Sequence, residues 1–147
     1  MQPLDEILLE VDALERSLGR RGFLKAIALL PVVPAALSHD DRQFLERTAR
    51  VLIPAEALQR TAVDVVTNVE HMLARASAHH RARVVRILRL ARRLSFLYGG
   101  DQMAVRARAS RFVSVRRLAR LVSVVCLVAF WGDERTRGLI DDPRVLA

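Results

Sequence analysis

Apolar residues recur at helical spacing along most of the chain. Leu4, Ile7, Leu8, Val11, Leu14 and Leu18 fall three or four positions apart, the interval that gathers side chains on one face of an α-helix. Ser38 and Asp40 are N-cap residues in front of Phe44, Leu45, Thr48, Val51 and Leu52. Pro54, which lacks an N–H and biases its predecessor away from α, makes Leu52-Ile53-Pro54-Ala55 a helix exit. Thr61 and Asp64 resemble a capping box ahead of Ala62, Val65, Val66, Val69, Met72, Leu73 and Ala76, which predict a second helix.

A third helix is predicted from about Arg81 to Tyr98. Val84, Ile87, Leu88, Ala91 and Leu94 form one face, Arg83, Arg86, Arg89 and Arg93 the other, and Gly99-Gly100 ends it. The polar segment 101–111 reads as a loop or short irregular helix. A fourth helix, from about Ser114 to Trp131, contains the unbroken apolar run 121–131. That run is shorter than the roughly 20 residues a bilayer span requires, so it predicts a helix buried on all sides at the centre of the body. Gly132-Asp133 stops it, and 136–140 adds a short turn before Asp141-Asp142-Pro143. The expectation is an all-α protein: a small orthogonal or bundle-like domain of four to five helices over residues 38–147, behind an N-terminal signal and helical extension over 1–37.

Composition agrees with helix. Of 147 residues, 52% are hydrophobic but only 5% aromatic, with 6 Gly and 5 Pro, too few turn and packing residues for a turn-rich β fold. The net charge of +8 is unevenly distributed. Asp5, Glu6, Glu10, Asp12 and Glu15 make the first helix acidic, and the remainder is strongly basic. Lys25 is the only Lys among 24 basic residues, a bias toward Arg that points to base composition as much as to nucleic acid.

Arg20-Arg21-Gly22-Phe23-Leu24-Lys25 stands apart from the Arg pairs 92–93 and 116–117. Phe-Leu, the single Lys and the uncharged stretch 26–37 follow it in the order of a charged region, a short apolar region and small residues. It is similar to a twin-arginine export signal, with Gly19 where Ser or Thr is usual. Pro31 and Pro34 interrupt the apolar stretch, which is too short for a stable anchor, and Val33-Pro34-Ala35 offers a cut after Ala35.

Motifs for catalysis are lacking. Cys126 is the only cysteine, which excludes an intrachain disulfide, a cysteine metal cluster and a Cys-x-x-Cys-His haem site. No Gly-x-Gly-x-x-Gly or phosphate loop occurs. His71, His79 and His80 invite a metal reading, but none of Glu46, Glu56 and Glu70 has a His three residues on, as a ferritin-like site requires. The Arg face of the third helix suits an acidic protein partner, a phosphate backbone or plain solvent. Nucleic-acid binding lacks interleaved aromatics and conflicts with export.

The export signal, the helix leading into Leu52-Ile53-Pro54-Ala55 and the run Leu127-Val128-Ala129-Phe130-Trp131-Gly132-Asp133-Glu134-Arg135-Thr136-Arg137-Gly138-Leu139-Ile140 together resemble the gluconate 2-dehydrogenase subunit 3 family, the small subunits of bacterial FAD-dependent alcohol and sugar dehydrogenases. The resemblance implies a subunit without catalytic residues or cofactor of its own. FAD would belong to a large glucose-methanol-choline-type partner, and a cytochrome c subunit often accompanies it. The small subunit would carry the leader, Arg20, Arg21, Phe23, Leu24 and Lys25, and escort the folded flavoprotein through the twin-arginine translocase to the periplasm or the outer face of the cytoplasmic membrane. Arg83, Arg86, Arg89, Arg93, Phe130 and Trp131 would be docking residues. The competing expectations are a basic helical nucleic-acid-binding protein and an independent exported helical protein.

Overall fold

A computed structural model describes residues 3–28 and 36–140, without the side chains of Arg20, Phe23, Leu24, 26–28 and Ile140. The protein is all-helical, 87% helix with no strand among the described residues. Eight α-helices follow one another there: α1 (Pro3–Ala28), α2 (His39–Leu52), α3 (Ala55–Thr61), α4 (Val65–Arg75), α5 (Ala78–Leu94), α6 (Met103–Arg106), α7 (Val113–Trp131) and α8 (Arg137–Ile140). Tight 3₁₀ turns at Ser95–Tyr98, Gly100–Gln102, Ala107–Ala109 and Glu134–Thr136 link the later ones. The count exceeds the four to five expected because α3, α6 and α8 span only one or two turns, too few to display a repeat. The apolar residues 29–35 and Asp141-Asp142-Pro143 lie outside the described residues.

Local chemistry explains where the longer helices begin. Ser38 caps α2 through a reciprocal box: its Oγ accepts from the Asp41 N–H (3.2 Å), and its own N–H donates to Asp41 Oδ2 (2.9 Å). Asp40 is inside the first turn. α2 ends at Leu52, with Ile53 extended and buried and Pro54 leading into α3. The capping box expected at Thr61 and Asp64 is not formed. The Thr61 hydroxyl donates back to the Ala57 carbonyl inside α3, Ala62 turns left-handed at φ 51°, and Asp64 caps α4 by accepting from the Thr67 N–H and hydroxyl. α5 starts earlier than predicted because Ser77 caps it, its Oγ accepting from the His80 N–H. Arg81 then donates to the Leu73 and Ala76 carbonyls, satisfying the open end of α4.

α7 is the central element, packed against α1, α2, α4, α5 and α6. Leu118, Leu121, Val122, Val125, Cys126, Ala129 and Phe130 are buried. The apolar run is not enclosed on every side, however. Val124, Leu127 and Val128 are half-buried and Trp131 is 40% exposed, a stripe at three- and four-residue spacing. α6, a short irregular helix inside segment 101–111 as one of the two expectations had it, sends Met103 and Ala104 into the core, with Ala107 beside them.

The first half of α1 belongs to the same core. Ile7, Val11 and Leu14 are fully buried in the cluster that α7 and α5 build. Each such side chain contributes about 1.5–3 kcal/mol when taken out of water.

Candidate functional site

The twin-arginine segment sits beyond a break in α1. Gly19 adopts φ 67° and ψ 159°, inside a helix otherwise running to Ala28. This backbone region is open essentially to glycine alone, and the space around Gly19 is empty, so backbone conformation rather than crowding calls for glycine there. A β-carbon at position 19 would resist the turn that separates the docked half of α1 from residues 20–28. Arg21 and Lys25 are exposed. The side chains of Arg20, Phe23 and Leu24 lie outside the described residues.

Carboxylates on the docked half hold it to the body. Arg83 of α5 donates through Nη2 to Asp12 Oδ1 (2.6 Å) and Glu15 Oε2 (2.8 Å), and through Nε to Glu15 Oε1 (3.1 Å). These hydrogen bonds, to Glu15 foremost and then Asp12, raise the Arg83 pKa above its ordinary value. Arg120 of α7 pairs with Glu10 at 2.9 Å. Three carboxylates of the acidic helix are thus paired with arginines of the basic body inside one molecule.

The single Arg face predicted for α5 is divided. Arg86 and Arg93 are exposed, but Arg83 is engaged by α1, and Arg89 is buried at 4% exposure. Arg89 Nε donates to Asp41 Oδ2 (3.1 Å), and its Nη2 to the Ala36 carbonyl (2.9 Å). Arg92 Nε reaches the other oxygen, Asp41 Oδ1, at 2.9 Å. Burial pushes the Asp41 carboxyl up, yet the Ser38 backbone and hydroxyl, Arg92 and Arg89 outweigh burial and hold its pKa below the ordinary carboxylate value. Spacing along α5 shows only which residues face away from its apolar stripe. It does not show that α2 and residue 36 cover the Arg89 position, and Asp41 carried no signal beyond its proximity to a cap.

Phe130 is likewise unavailable for docking. It is fully buried in the core, with the exposed Trp131 ring edge-on to it at 5.1 Å. Gly132-Asp133 ends α7 as predicted, and Asp133 has a structural task there. It accepts from the Arg135 side chain, from Asn68 Nδ2 (2.9 Å) and from the Arg135 N–H (2.9 Å), which together hold its carboxyl well below the usual range. Asn68 also donates to the Ala129 carbonyl, so the α7 terminus is fastened to α4.

Among the described residues, His39, Arg42, Gln43, Glu46, Arg50 and Asp64 line an open cavity of about 600 Å³. No group of three or more His, Cys, Asp or Glu side chains has metal-site geometry among the described residues. His79 and His80 stand beside each other, with ring centroids 5.8 Å apart, and His39 shares a hydrogen bond with Gln43. Cys126 is wholly buried, its thiol pushed up to about 12 by burial, which leaves negligible thiolate for nucleophilic chemistry.

The class defined by these observations is an all-helical protein whose acidic first helix is clasped by its basic body and breaks at Gly19 ahead of Arg20-Arg21. No protein-family model matches the chain, and no curated protein or solved structure matches it.

Proposed function

We propose that the chain is the non-catalytic small subunit of an exported, membrane-associated FAD-dependent dehydrogenase of the glucose-methanol-choline type. Arg20-Arg21-Gly22-Phe23-Leu24-Lys25 directs the folded flavoprotein through the twin-arginine translocase, and the helical body is the surface that holds the cargo and stabilises it. The partners are the large flavoprotein and the translocase, with a cytochrome c subunit as a further member of the complex.

The observation that carries the reading is the break at Gly19, after which Arg21 and Lys25 are exposed while the preceding half of the helix stays docked on the body. A signal meant to report on folded cargo works best when its base is fastened to a folded domain. The Ile53-Pro54-Ala55 exit and the α7 terminus through Asp133 and Arg135, the segments that carry the family resemblance, both support helix junctions. FAD is inserted in the cytoplasm, so a loaded flavoprotein requires a route for folded proteins, and a subunit with a leader can supply it.

The test is to replace Arg20 and Arg21 by Lys and follow the flavoprotein that co-purifies with the chain. Retention of that flavoprotein in the cytoplasm is expected. Its arrival in the periplasm despite both substitutions would overturn the escort role.

A further inference from the structure

Of the seven large apolar side chains exposed among the described residues, five fall between residues 96 and 113. Phe96 is 75% exposed, Phe112 is 53% exposed, and Leu97, Val105 and Val113 are also largely in solvent. Phe96 and Leu97 sit on the Ser95–Tyr98 turn, Val105 on α6, and Phe112 and Val113 at the start of α7. α6 packs against the Ser95–Tyr98 turn, α7 and the Ala107–Ala109 turn, so these turns form a continuous end of the molecule.

Arginines surround the same stretch. The Arg106 side chain lies so close over Gly99 that a β-carbon there would meet its Nη1 at 2.8 Å. The Arg111 guanidinium lies 4.8 Å from the centre of the Phe112 ring. Arg108, Arg116 and Arg120 line an open groove of about 400 Å³ whose walls include Val124 and Leu127. Arg108 is steadied by Ser123 Oγ at 2.9 Å, and Arg116 by the Ser110 carbonyl at 2.7 Å. Between residues 93 and 120 the only carboxylate is Asp101, which pairs with Arg47.

We infer that this end of the molecule docks on an anionic phospholipid bilayer. Phe96, Leu97 and Phe112 enter the boundary between headgroups and acyl chains. Arg106, Arg111 and Arg116 meet lipid phosphates, and the groove beside Arg108 takes a phosphodiester against its apolar wall. The charge is complementary to anionic lipid, and clusters of several Arg next to insertable apolar residues bind such surfaces. Aliphatic Leu97, Val105 and Val113 give a nucleic acid nothing to recognise. No helix among the described residues is long and apolar enough to cross a membrane. The inference is independent of the small-subunit reading.

The experiment is sedimentation of the full chain with vesicles of phosphatidylcholine alone and of phosphatidylcholine mixed with phosphatidylglycerol. Binding to the mixed vesicles only is expected. Arg111→Gln and Arg116→Gln should each weaken it about five-fold, the effect of one cation at a charged membrane surface. Arg75→Gln and Arg137→Gln, which remove one charge each from α4 and α8, should change it little. Phe96→Ser should weaken binding and make the remainder more sensitive to salt; all these sites are exposed, and circular dichroism checks that each variant folds. Four outcomes would overturn the inference: equal binding to neutral vesicles, equal loss from the α4 and α8 variants, inorganic phosphate bound without vesicle retention, or retention on polyglutamate alone, which would assign the surface to an acidic protein.

Discussion

Asp41 is the most constrained charge in the molecule. Its side chain is 1% exposed, and both oxygens are used: Oδ2 by Ser38 and Arg89, Oδ1 by Arg92. Removing one member of such a buried set leaves the others uncompensated, so Asp41→Asn should cost about 3–5 kcal/mol near neutral pH. The sign of its pH dependence follows from the lowered folded-state pKa. The stabilisation is fully present above the unfolded carboxylate value of 3.8 and is lost as pH falls through the lower folded value. Urea midpoints measured for both proteins should therefore differ most near pH 7 and converge in strong acid. A difference that grows on acidification would contradict the assignment. The same residue shows why the site was partly hidden in the sequence: Ser38 as a cap was legible from local chemistry, but the partner of its box is committed to α5, forty-eight positions away.

At the scale of elements, periodicity reads a helix only where it persists. α2, α4, α5 and α7 each hold their apolar spacing for three turns or more and were legible. α3, α6 and α8 depend on Pro54, on the glycines at 99 and 100 and on the turn at Asp133, and are defined by their neighbours. Periodicity also fixed the inward face of α1, since Ile7, Val11 and Leu14 all belong to the predicted stripe. What it could not supply is the face on which that stripe lands. α1 lies against α7 and α5, and its carboxylates meet Arg83 and Arg120 there. Leu14→Ala should thus behave as a core truncation, costing about 2–5 kcal/mol. Leu9→Ala, on the exposed side of the same helix, should change stability by less than about 0.5 kcal/mol. Denaturant melts of the two variants compare them directly, and equal effects would mean that α1 does not pack as a core element.

For the whole molecule, the docked half of α1 changes what a leader can be. A removable leader leaves a complete fold behind, whereas loss of residues 3–18 would uncover the apolar positions that Ile7, Val11 and Leu14 cover and leave Arg83 and Arg120 without their carboxylates. A break in the chain at residues 29–35 need not have that result. The buried stripe and ion pairs lie wholly N-terminal to such a break and hold the helix without the covalent link. A protease site placed at 29–35, cut under native conditions, should therefore yield two pieces that elute together and separate only in denaturant. Val11→Asp, which buries an unpaired charge at the centre of the contact, should release the short piece after the same cut. Separation of the pieces in the unsubstituted protein would show that α1 is held only through its covalent link. Retention makes physical sense of the glycine break: the residues after Gly19 can leave the body, while the turns before it remain part of the core.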